Sequence, residues 1–175
     1  MSTQFRTVSE ERTSRRLTMV EALREALREE MRRDERVILL GEDIGIPGGF
    51  GGAFTVTLGL EQEFGHERVL DTPISEAAIA GVAAGAAMGG LIPVADVQYG
   101  DFLFLAMDQL ANHAAKMHYM SKGKLTMPMV FRAPMNATTR GAQHGQSLEA
   151  FLMHVPGLKV TYPSNPYNNK KLLKS

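Results

Sequence analysis

The chain has 175 residues, close to the modal size of one domain, which argues against two full-sized domains and suffices for a buried core. Apolar residues make up 44% and charged residues 22%, which excludes a disordered, collagenous or coiled-coil chain. Nineteen Lys and Arg balance nineteen Asp and Glu, so no net field favours nucleic acid or anionic lipid, and the lack of Cys removes disulfides, thiolate metal sites and a Cys nucleophile.

Residues 1–17 read as a flexible N-terminus: the opening MSTQFRTVSEERTSRR is polar and has no apolar stretch of the kind a secretory signal needs, so a cytoplasmic protein is expected. Thr18 followed by Glu21 forms a capping box, and Val20, Leu23, Leu27 and Met31 recur at helical spacing, predicting an amphipathic helix over Met19 to Arg33. The unbroken run Val37-Ile38-Leu39-Leu40 has the character of a buried parallel strand and ends at Gly41-Glu42-Asp43. Carboxylates placed directly after such a strand lie at its C-terminal end, the edge at which open α/β sheets bind ligands.

The glycine-rich segment from Gly45 to Gly52 predicts a turning loop and does not match the G-x-G-x-x-G nucleotide pattern, because position 54 is Phe. A short helix is expected over Thr57 to Phe64 and a strand over Arg68 to Asp71. Ser75 or Glu76 then opens an Ala/Gly helix. Gly81, Gly85 and Gly89 fall four apart on one face of it, a spacing that admits a close backbone and predicts deep burial or a subunit contact. The uncharged stretch from Ala77 to Ala95 is long enough to span a membrane, but Gly89, Gly90 and Pro93 end any helix within it, so no membrane span is expected.

Pro93 to Tyr99 reads as a strand, Phe102 to Met120 as a helix, and Met129 to Phe131 as a strand between Pro128 and Pro134. A polar loop from Met135 to Ser147, a helix around Leu148 to His154 and a last strand over Leu158 to Tyr162 follow. This alternation predicts an α/β fold of three layers, a parallel sheet with helices on both faces. His66, His113, His118 and His154 read as structural or exposed, and Arg132 as half of a structural ion pair.

The segments GED at 41–43, DTPISEAAIAG at 71–81, QYGDF at 98–102, QHGQS at 143–147 and HVPGLKV at 154–160 together resemble the β subunit of thiamine-diphosphate-dependent 2-oxo-acid dehydrogenases. This is the E1 component of the pyruvate, branched-chain 2-oxo-acid and acetoin types. The resemblance runs from about Thr18 to Pro166 and implies a transketolase-like pyrimidine-binding domain over 18–175. It implies thiamine diphosphate shared with an E1 α subunit, which would hold the diphosphate and Mg²⁺, within an α2β2 heterotetramer that serves a lipoyl acyltransferase E2. No metal ligands are expected on this chain, and no G-D-G metal motif occurs, since Gly100-Asp101 is followed by Phe102.

By that resemblance Glu76 would share a proton with the aminopyrimidine ring nitrogen, so that the thiazolium carbon loses its own; without the resemblance, Glu76 reads first as an N-terminal helix carboxylate favoured by the dipole. Glu42 would line the pyrimidine pocket, or else be a solvated loop acid. Ile74, Gln98 and Phe102 would also bind the ring, Phe102 with its aromatic face. His144 matches the family's H-S-Q histidine, an acid/base or hydrogen-bond donor during decarboxylation and acyl transfer, although Gly145 stands where Ser is usual.

Family β subunits are about twice this long, so the chain is expected to end before the usual C-terminal domain, to expose apolar surface, and to need its α partner for activity. A truncated, non-catalytic relative that binds a partner or cofactor is the alternative expectation, and a split transketolase-like enzyme a third.

Overall fold

The computed structural model describes residues 15–135 and 140–175. The expected flexible N-terminus falls mostly on 1–14 and the middle of the polar loop on 136–139, both outside the described residues.

Helix α1 spans Met19–Arg33, as its pattern predicts. The Thr18 hydroxyl accepts the Glu21 N–H at 3.2 Å and the Glu21 carboxylate accepts the Thr18 N–H at 2.8 Å, so two otherwise unpaired helix donors are satisfied by purely local chemistry. Strand β1 (Val37–Glu42) is followed by α2 (Leu60–Phe64), β2 (Val69–Thr72), α3 (Glu76–Met88) and β3 (Ile92–Asp96). A 3₁₀ turn at Gly100–Phe102 leads into α4 (Leu103–Asp108), a π-helical turn over Gln109–Ala114 and α5 (Met117–Met120). Strand β4 (Val130–Arg132), α6 (Glu149–Met153) and α7 (Pro166–Leu173) complete the described elements.

The four strands are parallel in the order β2-β1-β3-β4. Period-two alternation divides their side chains between two cores. Val37, Leu39, Val69 and Val94 pack with Leu27 and Met31 of α1, whereas Leu40, Ala95 and Val97 pack with Ile79 and Ala83 of α3 on the opposite face. Helices therefore cover both faces, as expected. Helix α7 lies along α1, and Lys170 bonds Glu25 and Glu29 at 2.5 and 2.7 Å.

Gly41 sits in the tightest part of this sheet. It is the register partner of Asp96, and a Cβ built on it would stand 2.4 Å from the Asp96 carbonyl oxygen. Gly41→Ala gains about 0.4–1 kcal/mol by restricting the unfolded chain. Overpacking against a backbone that cannot yield costs about 1–3 kcal/mol or more and wins. Chemical denaturation is expected to show a net loss of stability, and an unchanged or higher midpoint would contradict this packing.

Two expectations are corrected and a third is narrowed. Leu158 to Tyr162 is not a strand: it pairs with no described strand, and the sheet ends at the three-residue β4. The helix expected over Phe102 to Met120 is broken at Ala115 and Lys116, where Ala115 N–H donates to the Leu110 carbonyl in a π register at 2.9 Å. The glycine stripe of α3 is not deeply buried, which removes the first of the two roles expected of it, the other being a subunit contact. Ala80, Ala83, Ala84 and Ala87 form the face packed in the core, leaving Gly81 half-buried and Gly85 and Gly89 exposed beside Val82. Among the described residues no helix is long and apolar enough to cross a membrane.

Candidate active site

Strand β1 connects to β2 on one side, while β3 lies on its other side and continues to β4, so the chain diverges in opposite directions between β1 and β3. The crevice outside the carboxyl ends of two such strands is where open α/β sheets place ligands. A cleft of about 800 Å³ opens there, and Glu42, Ile74, Glu76, Gln98, Phe102 and His144 all line it. The structure thus brings together the six residues for which the resemblance implies a catalytic or cofactor-binding role.

Glu42 is the last residue of β1. Asp43 follows with φ of 58°, a left-handed conformation that Asp tolerates, and its carbonyl accepts the Gly52 N–H at 2.9 Å. The glycine-rich loop is thereby folded back on the strand end. Gln98, just past β3, fastens it: its Oε1 accepts the Ala53 N–H at 2.6 Å and its Nε2 donates to the Glu42 carbonyl at 3.2 Å. A Cβ on Gly52, whose φ is +77°, would stand 2.7 Å from that Nε2, which explains glycine at this position. Gln98 therefore lines the cleft, but its amide is engaged in holding the loop.

Glu76 is the first residue of α3 and only 6% exposed, so its carboxyl group is held at the cleft by the helix terminus that presents it. Ile74, in the turn before it, is 75% exposed. Burial pushes the Glu42 carboxyl above its ordinary value, and the charges of Asp43, Glu76, Asp71 and Asp96 raise it further. An acid with a higher pKa folded than unfolded binds more protons when folded. Its contribution is present below the ordinary carboxylate value and is lost as pH rises through the raised one. Glu42→Gln is therefore expected to melt above the parent chain at pH 8, with the gap closing as pH falls toward the ordinary carboxylate range. A gap that widens on acidification would contradict the shift.

On the other wall, the His144 ring meets the Tyr99 ring edge-on at 5.0 Å and the Phe102 ring at 5.3 Å. Asp101 lies between those two aromatics in the chain and is buried. Its Oδ1 accepts from the Gln146 N–H at 3.2 Å and from Gln146 Nε2 at 2.8 Å, tying down the turn just after His144. Burial opposes ionisation of Asp101, but these bonds and the Gly145 N–H outweigh it and hold the carboxyl below its ordinary value. Arg140 donates from Nη1 to the Tyr99 hydroxyl at 2.9 Å and also lines the cleft.

Tyr99 and Arg140 were not singled out by the sequence reading. Tyr99 stood inside the QYGDF segment, and Arg140 is the lone Lys or Arg between Met135 and Ser147, the signal that marks it. His113 and His118 lie away from the cleft, His113 3.6 Å from Asp108 and His118 Nδ1 2.7 Å from the Leu125 carbonyl. Arg132 pairs with buried Asp96, the structural role expected of it. Among the described residues no three His, Cys, Asp or Glu side chains are grouped so as to hold a metal ion.

Several curated proteins are similar to the chain over most of its length. The chain is 47% identical over 160 residues to the 2-oxoisovalerate dehydrogenase subunit beta of Bacillus subtilis (strain 168), covering 91% of this chain and 48% of the relative. It is 43% identical over 158 residues to the pyruvate dehydrogenase E1 component subunit beta of Acholeplasma laidlawii, covering 90% and 47%. It is 45% identical over 172 residues to the acetoin:2,6-dichlorophenolindophenol oxidoreductase subunit beta of Bacillus subtilis (strain 168), covering 91% and 50%. The chain thus spans about half the length of the curated relatives it matches. Among solved structures, a split gene transketolase described as an inactive beta4 tetramer shares the fold, with a TM-score of 0.67 at 22% identity over 90% of this chain and 47% of that one. Residues 15–175 match the model of the transketolase pyrimidine-binding domain, and the chain belongs to that family.

Proposed function

We propose that this chain supplies the pyrimidine-binding half of a thiamine diphosphate site in the E1 component of a 2-oxo-acid dehydrogenase of the pyruvate, branched-chain or acetoin type. The observation that carries the proposal is the buried Glu76 carboxyl group presented to a partly aromatic cleft opposite His144. The donor set suits a protonatable ring: a buried carboxyl for a ring nitrogen, the Phe102 side chain for packing, and Ile74 at the cleft margin.

The same set is unsuited to a diphosphate, because Glu42, Asp43 and Glu76 concentrate negative charge in the cleft. We assign the diphosphate and Mg²⁺ to an α-type partner. When bound, thiamine diphosphate supplies a carbon nucleophile for the substrate carbonyl. Glu76 holds and returns a proton at the ring nitrogen. Glu42, whose carboxyl is pushed above its ordinary value by burial and by its acidic neighbours, Glu76 among them, lines the same end of the cleft. His144, gripped by Tyr99 and Phe102, donates a hydrogen bond or a proton to the substrate oxygen. Exposed apolar side chains such as Phe104 and Phe151, 53% and 54% exposed and in edge-on contact at 5.3 Å, support an α2β2-type assembly that feeds a lipoyl acyltransferase.

The test is co-expression with an α-type subunit carrying the diphosphate-and-metal motif, followed by calorimetric titration of thiamine diphosphate. Saturable binding by the complex, together with turnover of pyruvate, a branched-chain 2-oxo acid or acetoin, is expected. A well-folded complex that neither binds the cofactor nor acts on any of the three would overturn the reading.

A further inference from the structure

We propose that Arg140 is the carboxylate-binding residue of this cleft, so that the site selects an anionic 2-oxo acid over a neutral acyloin such as acetoin. The inference rests on the function proposed above and sharpens it, since the relatives divide between these substrate classes.

Charge in the cleft is unevenly placed. Glu42, Asp43 and Glu76 make the strand-β1 and helix-α3 end negative, and Arg140 is the one Lys or Arg among the described residues that line it. An anionic substrate is repelled from the first end and drawn to the second. It therefore enters with its carboxylate toward Arg140 and its reacting carbonyl inward.

The guanidinium is both anchored and available. Nη1 donates to the Tyr99 hydroxyl at 2.9 Å, and Cζ lies 6.0 Å from the centroid of that ring. Tyr99 is itself only 7% exposed, so it fixes the base of the arginine fork. Arg15, Arg28, Arg32, Arg33, Arg36 and Arg132 all pair with carboxylates, whereas no carboxylate among the described residues pairs with Arg140. Guanidinium carries five donors in a planar fork matched to the two oxygens of a carboxylate, and one bond to Tyr99 leaves the others for a ligand.

Geometry links this anion position to the chemistry. The Tyr99 ring that carries Arg140 is also the ring that His144 meets edge-on at 5.0 Å. In a 2-oxo acid the carboxylate carbon is bonded directly to the carbonyl carbon. One small molecule can thus present its carboxylate to Arg140 and its carbonyl oxygen to His144. An acyloin offers the fork only neutral oxygens and no carboxylate to pair with its charge.

The test compares Arg140→Leu, Arg140→Lys and the parent chain, each in complex with the α-type subunit and loaded with cofactor, on pyruvate, 2-oxoisovalerate and acetoin. The kcat/KM ratio of the preferred 2-oxo acid over acetoin is expected to fall about tenfold in Arg140→Leu, carried by KM for the acid, as loss of one charge-assisted contact dictates. Arg140→Lys is expected to recover part of it. Calorimetry of thiamine diphosphate on each variant separates this effect from misfolding, because cofactor affinity is expected to hold. A parent complex active on 2-oxo acids whose Arg140→Leu variant keeps the parent KM and ratio overturns the Arg140 assignment and leaves the proposed function standing. A parent complex that prefers acetoin also overturns it, and one that binds no cofactor overturns both.

Discussion

Replacing Glu76 by Gln is expected to lower kcat of the assembled enzyme by about 10²–10⁴-fold, the range that one positioned acid/base group contributes. Gln keeps the shape of the side chain and can still hydrogen-bond a ring nitrogen, but it cannot exchange a proton with it. Structural damage is a small competing effect. Removing a carboxylate from the first turn of α3 forfeits about 0.3–1 kcal/mol of helix-dipole stabilisation, and it also relieves the repulsion between Glu76 and Glu42. The variant should therefore fold, assemble and bind thiamine diphosphate within a few-fold of the parent while losing turnover. Steady-state kinetics with parallel calorimetry checks this, and a variant retaining parental kcat would remove Glu76 from the mechanism.

The largest expected effect on stability comes from a pair beneath the cleft. Asp96 at the end of β3 is 4% exposed, and Arg132 of β4 is its ion-pair partner. The other Asp96 oxygen, Oδ1, is buried without a hydrogen-bond partner among the described residues. Burial pushes the Asp96 carboxyl upward and Arg132 pulls it back. Arg132→Met leaves a buried carboxylate without its counter-charge, a change that costs about 3–5 kcal/mol.

The pH dependence of that loss has a fixed sign. Without Arg132 the folded-state pKa of Asp96 rises further, so folding favours the protonated acid more strongly. Stability is then retained at low pH and lost as pH climbs through the raised value. Urea titrations are expected to show a larger deficit for Arg132→Met at pH 8 than at pH 5. The double variant Asp96→Asn/Arg132→Met should recover most of it, because removing both charges is far less harmful than stranding one. A deficit that does not depend on pH, or a double variant as unstable as the single, would show that the pair is not what the sheet edge relies on.

How much of this was legible in the sequence depended on the range of the interactions concerned. Helix α1 was readable to its end residues because the Thr18–Glu21 box and the apolar spacing are both local. The β1 run was readable for the same reason, and the cleft residues followed from the strand ends together with the family resemblance. What the sequence did not carry was contact between distant segments. The break after Ala114 occurs where the loop after α6 meets the backbone of α4's continuation. A Cβ on Gly157 would stand 2.1 Å from the Ala115 carbonyl oxygen, an approach that no periodicity within 102–120 encodes.

Gln98 shows the same limit at the site itself. Its position after β3 puts it at the cleft, yet its amide closes a 45-residue gap to Ala53 and holds the glycine loop. Tyr99 and Arg140, separated by 41 residues, became a pair only on folding. The stretch at Leu158 to Tyr162 failed in the opposite direction. Its alternation suited a strand, but an extended segment becomes one only where the fold docks it in register beside another strand, which no pattern within 158–162 encodes.

The proposed role of Glu76 is to activate thiamine diphosphate held jointly with an α-type partner. Its most direct measurement is the rate of proton-deuterium exchange at the thiazolium carbon of the bound cofactor, followed by NMR in complexes carrying the parent chain and Glu76→Gln. Exchange at least about 10²-fold faster in the parent complex is predicted. Equal rates in the two complexes, with the cofactor equally bound, would contradict the claim.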